Sequence, residues 1–361
     1  MARTNVLFIL TDDQGPWAMG CAGNREIRTP HLELFCAPPA IPITTGSNVL
    51  ILLYRFILNQ GVLIMAKTTT GSIPIGIRCN CEWMSDIGDL VTFAKENGFE
   101  CVDAGAWAPE QIKALSDAGV AIGTVDLPEP LSELAAVDSA RRTAAVDRCV
   151  DYVKSVYEYG ARVFFVCPFG DDAAENRQAA MDHAIAGYGR LCEQIAGLPG
   201  GGAKIVLEGW PGPAPNFPVL ACTPEGYRTF IKEVGTANIG VNFDPSHLIR
   251  MGIDPVRFLE EFVPVTFHAH AKDTEILGEN LYEYGTLQTA VSPPSMSFGE
   301  TYWRYTIPGH GCARWGKLLG ILANAGYGGR ISIELEDMNF NGTEEGEKRG
   351  FIASRDFLVH V

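Results

Sequence analysis

Four short apolar runs in the second half of this 361-residue chain each deliver a side chain that metal ions favour. They are residues 203–209 (AKIVLEG), 238–247 (NIGVNFDPSH), 265–273 (VTFHAHAKD) and 330–337 (RISIELED), which carry Glu208, Asp244, His270 and Glu334 near their carboxyl ends. Each run is too short for a helix and rich in Val, Ile and Phe, so it reads as a buried strand. A parallel barrel builds a metal site in this way, from the carboxyl ends of neighbouring strands.

The rest of the chain from residue 73 onward alternates strand with helix. Residues 73–79, 101–104, 121–126 and 163–168 are further strand candidates, which brings the expected number to eight. Val146, Val150, Val153 and Tyr157 recur at helical spacing, as do Trp315, Leu318, Leu319 and Leu322. Gly98, Gly160 and Gly326 sit where those helices should stop. Eight β/α units in about 290 residues predict an α/β chain folded as a (β/α)8 TIM barrel over residues 65–361, a fold that typically takes ~250 residues.

Composition narrows the partners. With 47% hydrophobic and 20% charged residues, the chain has the make-up of a globular enzyme. A formal net charge of −15, with no Lys/Arg-rich run, repels phosphate backbones, so nucleic acid is not an expected partner. The ten cysteines are spread through apolar segments and the first residues do not read as a secretory signal. Buried reduced thiols in a cytoplasmic protein follow. Cys79 and Cys81 form the only close pair and have no second pair at zinc-site spacing, so they read as two thiols at a strand end.

Residues 1–46 have another character. The strand-like run 5–14 (NVLFILTDDQ) ends in Asp12 and Asp13, and with residues 15–32 (GPWAMGCAGNREIRTPHL) it resembles the amino terminus of sulfatases. In that family the two aspartates hold calcium beside a cysteine within a Cys-x-Pro-x-Arg motif. The nearest match here, residues 40–44 (AIPIT), has neither the nucleophile nor the arginine. About 46 residues cannot supply the core of such an enzyme, so the segment reads as a non-functional, non-native-looking N-terminal extension. Residues 47–64 form an apolar linker. The stretch 48–64 (NVLILLYRFILNQGVLI) is 17 residues long and contains Arg55, Asn59 and Gln60, short of the roughly 20 apolar residues a membrane span needs. Met65-Ala66-Lys67 then reads as a natural start.

A carboxylate at the inner end of a barrel strand loses its hydration and needs a compensating charge. Glu208, Asp244, His270 and Glu334 together supply three hard oxygen ligands and one imidazole, a set suited to one Mn²⁺, Mg²⁺ or Co²⁺ ion with positions left open. Zn²⁺ fits three carboxylates less well. His268 and His270 point the same way in a strand; for His268 a hydrogen-bonded core histidine and a substrate contact stand equally open. Lys272 and Arg304 are candidates for substrate hydroxyls or a phosphate, against the plainer reading of solvated cations on loops. Trp210 offers an apolar wall for a sugar ring, against the plainer reading of a packing role. His310, flanked by glycines, reads as either a mouth residue or a plain turn. Residues 275–303 read as a long βα loop, a lid or an oligomer contact.

Leu207-Glu208, the D-x-x-H of Asp244 to His247, the H-x-K-D of His270 to Asp273, residues 332–337 (SIELED) and the tract 303–311 (WRYTIPGHG) together resemble the sugar phosphate isomerase/epimerase superfamily, the xylose isomerase-like TIM barrels. The resemblance covers residues 65–361. It implies metal-assisted proton transfer next to a carbonyl of a sugar, sugar phosphate or keto-polyol, by way of an enediolate. Glu208 and Glu334 would be both metal ligands and the catalytic acid and base on opposite faces of the substrate, and His247 would hydrogen-bond a substrate oxygen. Three other readings stay open. They are a keto-inositol dehydratase on the same site, a zinc-dependent abasic-site endonuclease, and a sugar-binding barrel without catalysis. A homodimer is the default assembly. For the amino-terminal segment the expectation is simple: the full chain does not hydrolyse p-nitrophenyl sulfate, and measurable turnover there would restore the sulfatase reading.

Overall fold

The computed structural model describes residues 65–212, 217–287 and 290–361. The sulfatase-like segment and the apolar linker lie outside the described residues.

Seven parallel strands come first: β1 (Ile75–Arg78), β2 (Cys101–Ala104), β3 (Ala121–Asp126), β4 (Val163–Val166), β5 (Lys204–Leu207), β6 (Ile239–Phe243) and β7 (Thr266–Ala271). The chain then leaves the barrel for a three-stranded antiparallel sheet of β8 (Asp273–Ile276), β9 (Gly299–Glu300) and β10 (Trp303–Thr306). It returns as β11 (Ile331–Ile333), which pairs with β7 on one side and β1 on the other and closes the ring. The eight-stranded barrel predicted from the alternation is therefore present.

Helices cover the barrel, and their ends follow the sequence. Asp138 accepts from Arg141 N at 2.7 Å at the start of Ser139–Tyr157, and Asn176 accepts from Ala179 N at 3.0 Å at the start of Arg177–Ile195. Gly98, Gly160 and Gly326 adopt φ of +75°, +99° and +69°, the left-handed turn that stops a helix. The faces read from helical spacing are buried: Val146, Val150 and Val153 on one helix, Leu318, Leu319 and Leu322 on Trp315–Asn324. Most of the core lies between helices and barrel. Inside the barrel the apolar filling is small, with Phe165, Cys167 and Val206 as its centre. Asp103, Glu208, Asn242, His268 and His270 are the buried polar groups around it.

Three boundaries differ from the expected ones. The run predicted as strand 238–247 ends at Phe243, because Pro245 has no N–H for the ladder and starts a helix instead. Asp244 caps that helix, its Oδ1 accepting from Ser246 N at 2.8 Å. The run 265–273 breaks at Lys272, where the chain turns from β7 into β8. The predicted loop 275–303 holds the end of β8, the helix Gly278–Tyr284, β9 and the start of β10. Among the described residues every cysteine is free, and no helix is long and apolar enough to cross a membrane.

Two aspartates from the sequence motifs fasten the return from this excursion. Buried Asp273 accepts from Thr274 N (2.8 Å), Ala313 N (2.9 Å), Gly309 N (3.2 Å) and Trp315 Nε1 (2.9 Å). Burial pushes its carboxyl pKa up, and those donors only partly offset the shift. Asp337 Oδ2 accepts from Ile307 N at 3.1 Å. Asp273→Ala would leave several buried donors unpaired, at roughly 1–3 kcal/mol each. Urea denaturation of that variant should show a loss of about 3–5 kcal/mol, and a loss below about 1 kcal/mol would contradict this account.

Candidate metal centre

Glu208, Asp244 and Glu334 each lie one residue past a strand (β5, β6 and β11), and His270 lies within β7. These strands are consecutive in the ring, in the order β5, β6, β7, β11, so their carboxyl ends meet at one sector of the mouth. One donor atom from each of the four residues falls within 4.8 Å of all the others, and all four side chains are buried. That is close to the spacing around a single ion with bonds of ~2.0–2.5 Å. His270 Nδ1 lies 2.8 Å from Glu208 Oε2 and 3.4 Å from Glu334 Oε2. Neither contact has hydrogen-bond geometry: both His270 nitrogens and Asp244 Oδ2 are buried without a hydrogen-bond partner. Buried donors left unpaired in this way and aimed at one point fit a divalent ion.

Among the side chains of the cluster, the balance of charge is kept by cations. Burial opposes ionisation of Glu334, but Lys272, His270 and Arg78 outweigh it and hold its carboxyl well below the usual range. For Glu208 burial again opposes, and His270 and the His247 hydrogen bond prevail over repulsion from Glu334, so its pKa also falls. His270 is raised well above its ordinary value, since Glu208 and Glu334 overcome the cost of burying an imidazolium.

Lys272 is buried, not solvated as its plainer reading expected. Its Nζ lies 2.5 Å from Glu334 Oε2, 3.0 Å from Glu336 Oε2 and 3.4 Å from Asp244 Oδ2. Despite burial, those carboxylates raise its pKa well above the normal lysine value. His247 joins the cluster from the other side, with Nε2 3.2 Å from Glu208 Oε1 and 3.3 Å from Asp244 Oδ2. Its Nδ1 is 2.7 Å from Tyr305 Oη, which accepts from Arg250 Nη1 at 2.8 Å. With Arg250 donating to the phenol, the phenol proton is free to go to His247 Nδ1, which leaves Nε2–H pointing at the carboxylates.

The remaining predicted site residues fall elsewhere. His268 lies deeper in the barrel, where its Nε2 meets Asp103 Oδ2 at 2.8 Å; this is the hydrogen-bonded core histidine of the two readings. Arg304 is not brought to the cluster, because it faces Glu275 across the β10–β8 pair and binds it at 2.6 Å. Trp210 stacks on Phe169 with centroids 5.5 Å apart, beside the apolar filling of the barrel. His310 is exposed, and its N–H closes a turn on Ile307 O at 3.1 Å.

Several residues around the donors carry no motif. Arg78 binds Asp126 through two bonds of 2.6 and 3.0 Å, lies 4.4 Å over the Phe165 ring, and has Nε 3.7 Å from Glu334 Oε1. Phe165 itself stacks on His270, with centroids 5.4 Å apart at 29°. Asn242 donates to Glu208 Oε2 at 2.6 Å. The one available signal was a charged or polar residue inside an otherwise apolar strand, as at Arg78, Asp103 and Asn242.

The sequence profile of the xylose isomerase-like TIM barrel family matches residues 91–359. The chain belongs to this family. It is 32% identical to the uncharacterised protein YfiH of Bacillus subtilis over 145 residues, which are 39% of this chain and 42% of that protein. It is 29% identical to inosose dehydratase of Bacillus thuringiensis over 106 residues, 28% of this chain and 32% of that enzyme. The match thus spans less than half the length of either relative. Among solved structures, D-psicose 3-epimerase from Clostridium cellulolyticum H10 superposes with a TM-score of 0.58 over 80% of this chain and 100% of that one. At 17% identity that likeness speaks to the fold.

A divalent ion that occupies this centre stabilises the native state by about 2.7 kcal/mol when present at 100 times its Kd. Mn²⁺ added to chelator-treated protein should therefore raise the melting temperature, with one ion retained per chain. Asp244→Asn keeps the helix cap but removes one of the crowded negative charges. It should melt no lower than the wild type without metal and lose the Mn²⁺-induced rise. An undiminished rise in that variant would remove Asp244 from the ligand set.

Proposed function

We propose that the protein is a divalent-metal-dependent enzyme that isomerises or epimerises a small sugar, sugar phosphate or keto-polyol by moving a proton next to a carbonyl. Mn²⁺ is the ion we expect, with Mg²⁺, Co²⁺ and Zn²⁺ as lesser fits to the donor set. The observation that carries the reading is the convergence of Glu208, Asp244, His270 and Glu334 on one point. An ion bound there would polarise the substrate carbonyl and favour its enediolate.

The side chains of this chain account for the proton traffic. Glu208 and Glu334 stand as the base and acid, one removing the proton and the other returning it. Each has a cationic or N–H neighbour that orients it: Lys272 Nζ at 2.5 Å from Glu334, and His247 Nε2 at 3.2 Å from Glu208. Asn242 holds Glu208 from the side at 2.6 Å. His247 is also placed to meet a substrate oxygen. The phosphorylated substrates are the weaker option, since Lys272 is enclosed by three carboxylates and Arg304 is taken by Glu275.

A second reading has its own support. The local similarity to inosose dehydratase favours a lyase that begins with the same proton abstraction and then expels a β-hydroxyl. The buried ammonium of Lys272 would suit that departure, since it can give the hydroxide its proton. An abasic-site endonuclease fits less well with a net charge of −15.

Incubation with Mn²⁺ in D₂O against a panel of ketoses and keto-inositols separates the two. Deuterium gained at carbon without loss of water is the expected result; loss of water from the keto-inositol would establish the lyase. Glu334→Gln should lower kcat by roughly 10²- to 10⁴-fold while much of the substrate affinity survives. Full activity in that variant would end the acid–base assignment, and absence of exchange or elimination across the panel would leave a binding protein.

A further inference from the structure

We propose that Asp103, one layer below the metal centre, is a positioning residue that fixes the imidazole of His270 as a ligand. The proposal rests on the reading of Glu208, Asp244, His270 and Glu334 as the ligand set. Asp103 stands on β2 with no exposed surface. Its Oδ2 lies 3.3 Å from His270 Nε2, while the other ring nitrogen, Nδ1, faces Glu208 and Glu334. The ring therefore presents one nitrogen to the centre and the other to a carboxylate. An imidazole that gives its N–H to a carboxylate is held in one tautomer and is a better ligand through its free nitrogen.

The neighbourhood is arranged around that carboxylate. Asp103 Oδ1 accepts from Thr124 N at 3.0 Å, which fixes the group's rotation. His268 Nε2 approaches Oδ2 from below at 2.8 Å. The residue beside them on β3 is Gly123, where a Cβ would lie 1.9 Å from Asp103 Oδ1. A glycine inside a strand weakens it and is explained here by the room the carboxylate needs. Phe165, stacked on His270 at 5.4 Å, blocks rotation of the ring out of this orientation.

Asp103, His268 and His270 are themselves close enough to hold an ion. That alternative requires His270 to ligate through both nitrogens and Asp103 to give up its role as acceptor. The geometry favours a positioning role: His268 Nε2 is hydrogen-bonded to Oδ2 at 2.8 Å, His270 Nε2 lies 3.3 Å from the same oxygen, close enough to donate to it once Nδ1 is engaged by an ion, and Oδ1 already accepts from Thr124 N.

Co²⁺ loading distinguishes these cases. Wild-type protein with one Co²⁺ should show an exchangeable imidazole N–H resonance with a contact shift larger than that of the non-ligating His247, the resonance of His270 Nε2, which is absent when the sample is prepared in D₂O. Asp103→Asn should weaken Co²⁺ binding by roughly 10- to 100-fold in chelator competition and displace that resonance. Gly123→Ala, which leaves Asp103 in place but intrudes on it, should move both readouts in the same direction. The wild-type spectrum does not depend on either variant folding. A wild-type spectrum without the exchangeable resonance overturns the proposal, as does an Asp103→Asn protein with unchanged affinity. Two Co²⁺ per wild-type chain, one of them lost with Asp103, would replace it with a second metal site. A wild type that binds no divalent ion would instead overturn the metal centre itself.

Discussion

Mutual repulsion among buried carboxylates at one sector of the barrel mouth is the constraint that the surrounding structure answers. Glu208, Asp244 and Glu334 bring donor atoms within 4.8 Å of one another inside the protein. Two like charges about 4 Å apart repel by roughly 4 kcal/mol at an effective dielectric near 20. Three such pairs are of the order of the ~5–15 kcal/mol that holds a whole domain together. The arrangement survives only with positive charge among the carboxylates. Lys272, Arg78 and a protonated His270 are the cations that packing supplies, and a divalent ion held by His270 Nδ1 would replace that ring proton with more positive charge. Protonating the carboxylates would also relieve the repulsion, but the cations hold Glu208 and Glu334 in the ionised form. Charge compensation and ligand chemistry are thus one requirement.

Holding such a cluster needs a rigid frame, and the frame is made of hydrogen bonds whose direction is set. Arg250, which can only donate, gives to Tyr305 Oη; the phenol proton then goes to His247, and the far nitrogen of His247 becomes a donor toward Glu208. The guanidinium also lies 4.0 Å over the Trp303 ring, so its position is fixed by packing as well as by charge. On the side away from solvent, Phe165 and Asp103 bound the His270 ring.

The features readable in the sequence were those that repeat or end an element. Eight apolar runs and the glycines after the helices gave the barrel, because burial on both faces of a parallel strand selects Val, Ile and Phe directly. Glu208, Asp244, His270 and Glu334 stood out because each follows such a run. Single polar residues of a strand that belong to no motif did not. Asp103 in residues 101–104 (CVDA) and Arg78 at the end of Ile75–Arg78 look like isolated polar substitutions until the ring closes and places them beside His270 and Glu334. For Lys272 the two readings, a contact at the site and a solvated cation, are not separable in residues 265–273, because its burial depends on the excursion that begins at the break between β7 and β8. Cross-strand pairing across a long excursion is likewise absent from local pattern, so Arg304 could not be matched with Glu275 in advance.

The excursion between β7 and β11 is where this chain completes its site. Side chains alternate along β10, so Trp303 and Tyr305 share one face and Arg304 takes the other. The buried face of the pair meets Arg250, and Tyr305 also reaches His247 and lies 4.6 Å from Lys272 Nζ. Arg304, with Glu275 opposite it, keeps the β8–β10 pair in register. A slip of one residue in that register would turn Tyr305 away from the centre and bring Arg304 toward three carboxylates. Asp273 and Asp337 guard against this, since they tie the segment after β10 to the first residue of β8 and to the segment that follows β11. The barrel strands thus supply the charged donors, and the antiparallel excursion sets the hydrogen-bond direction of the histidine beside them.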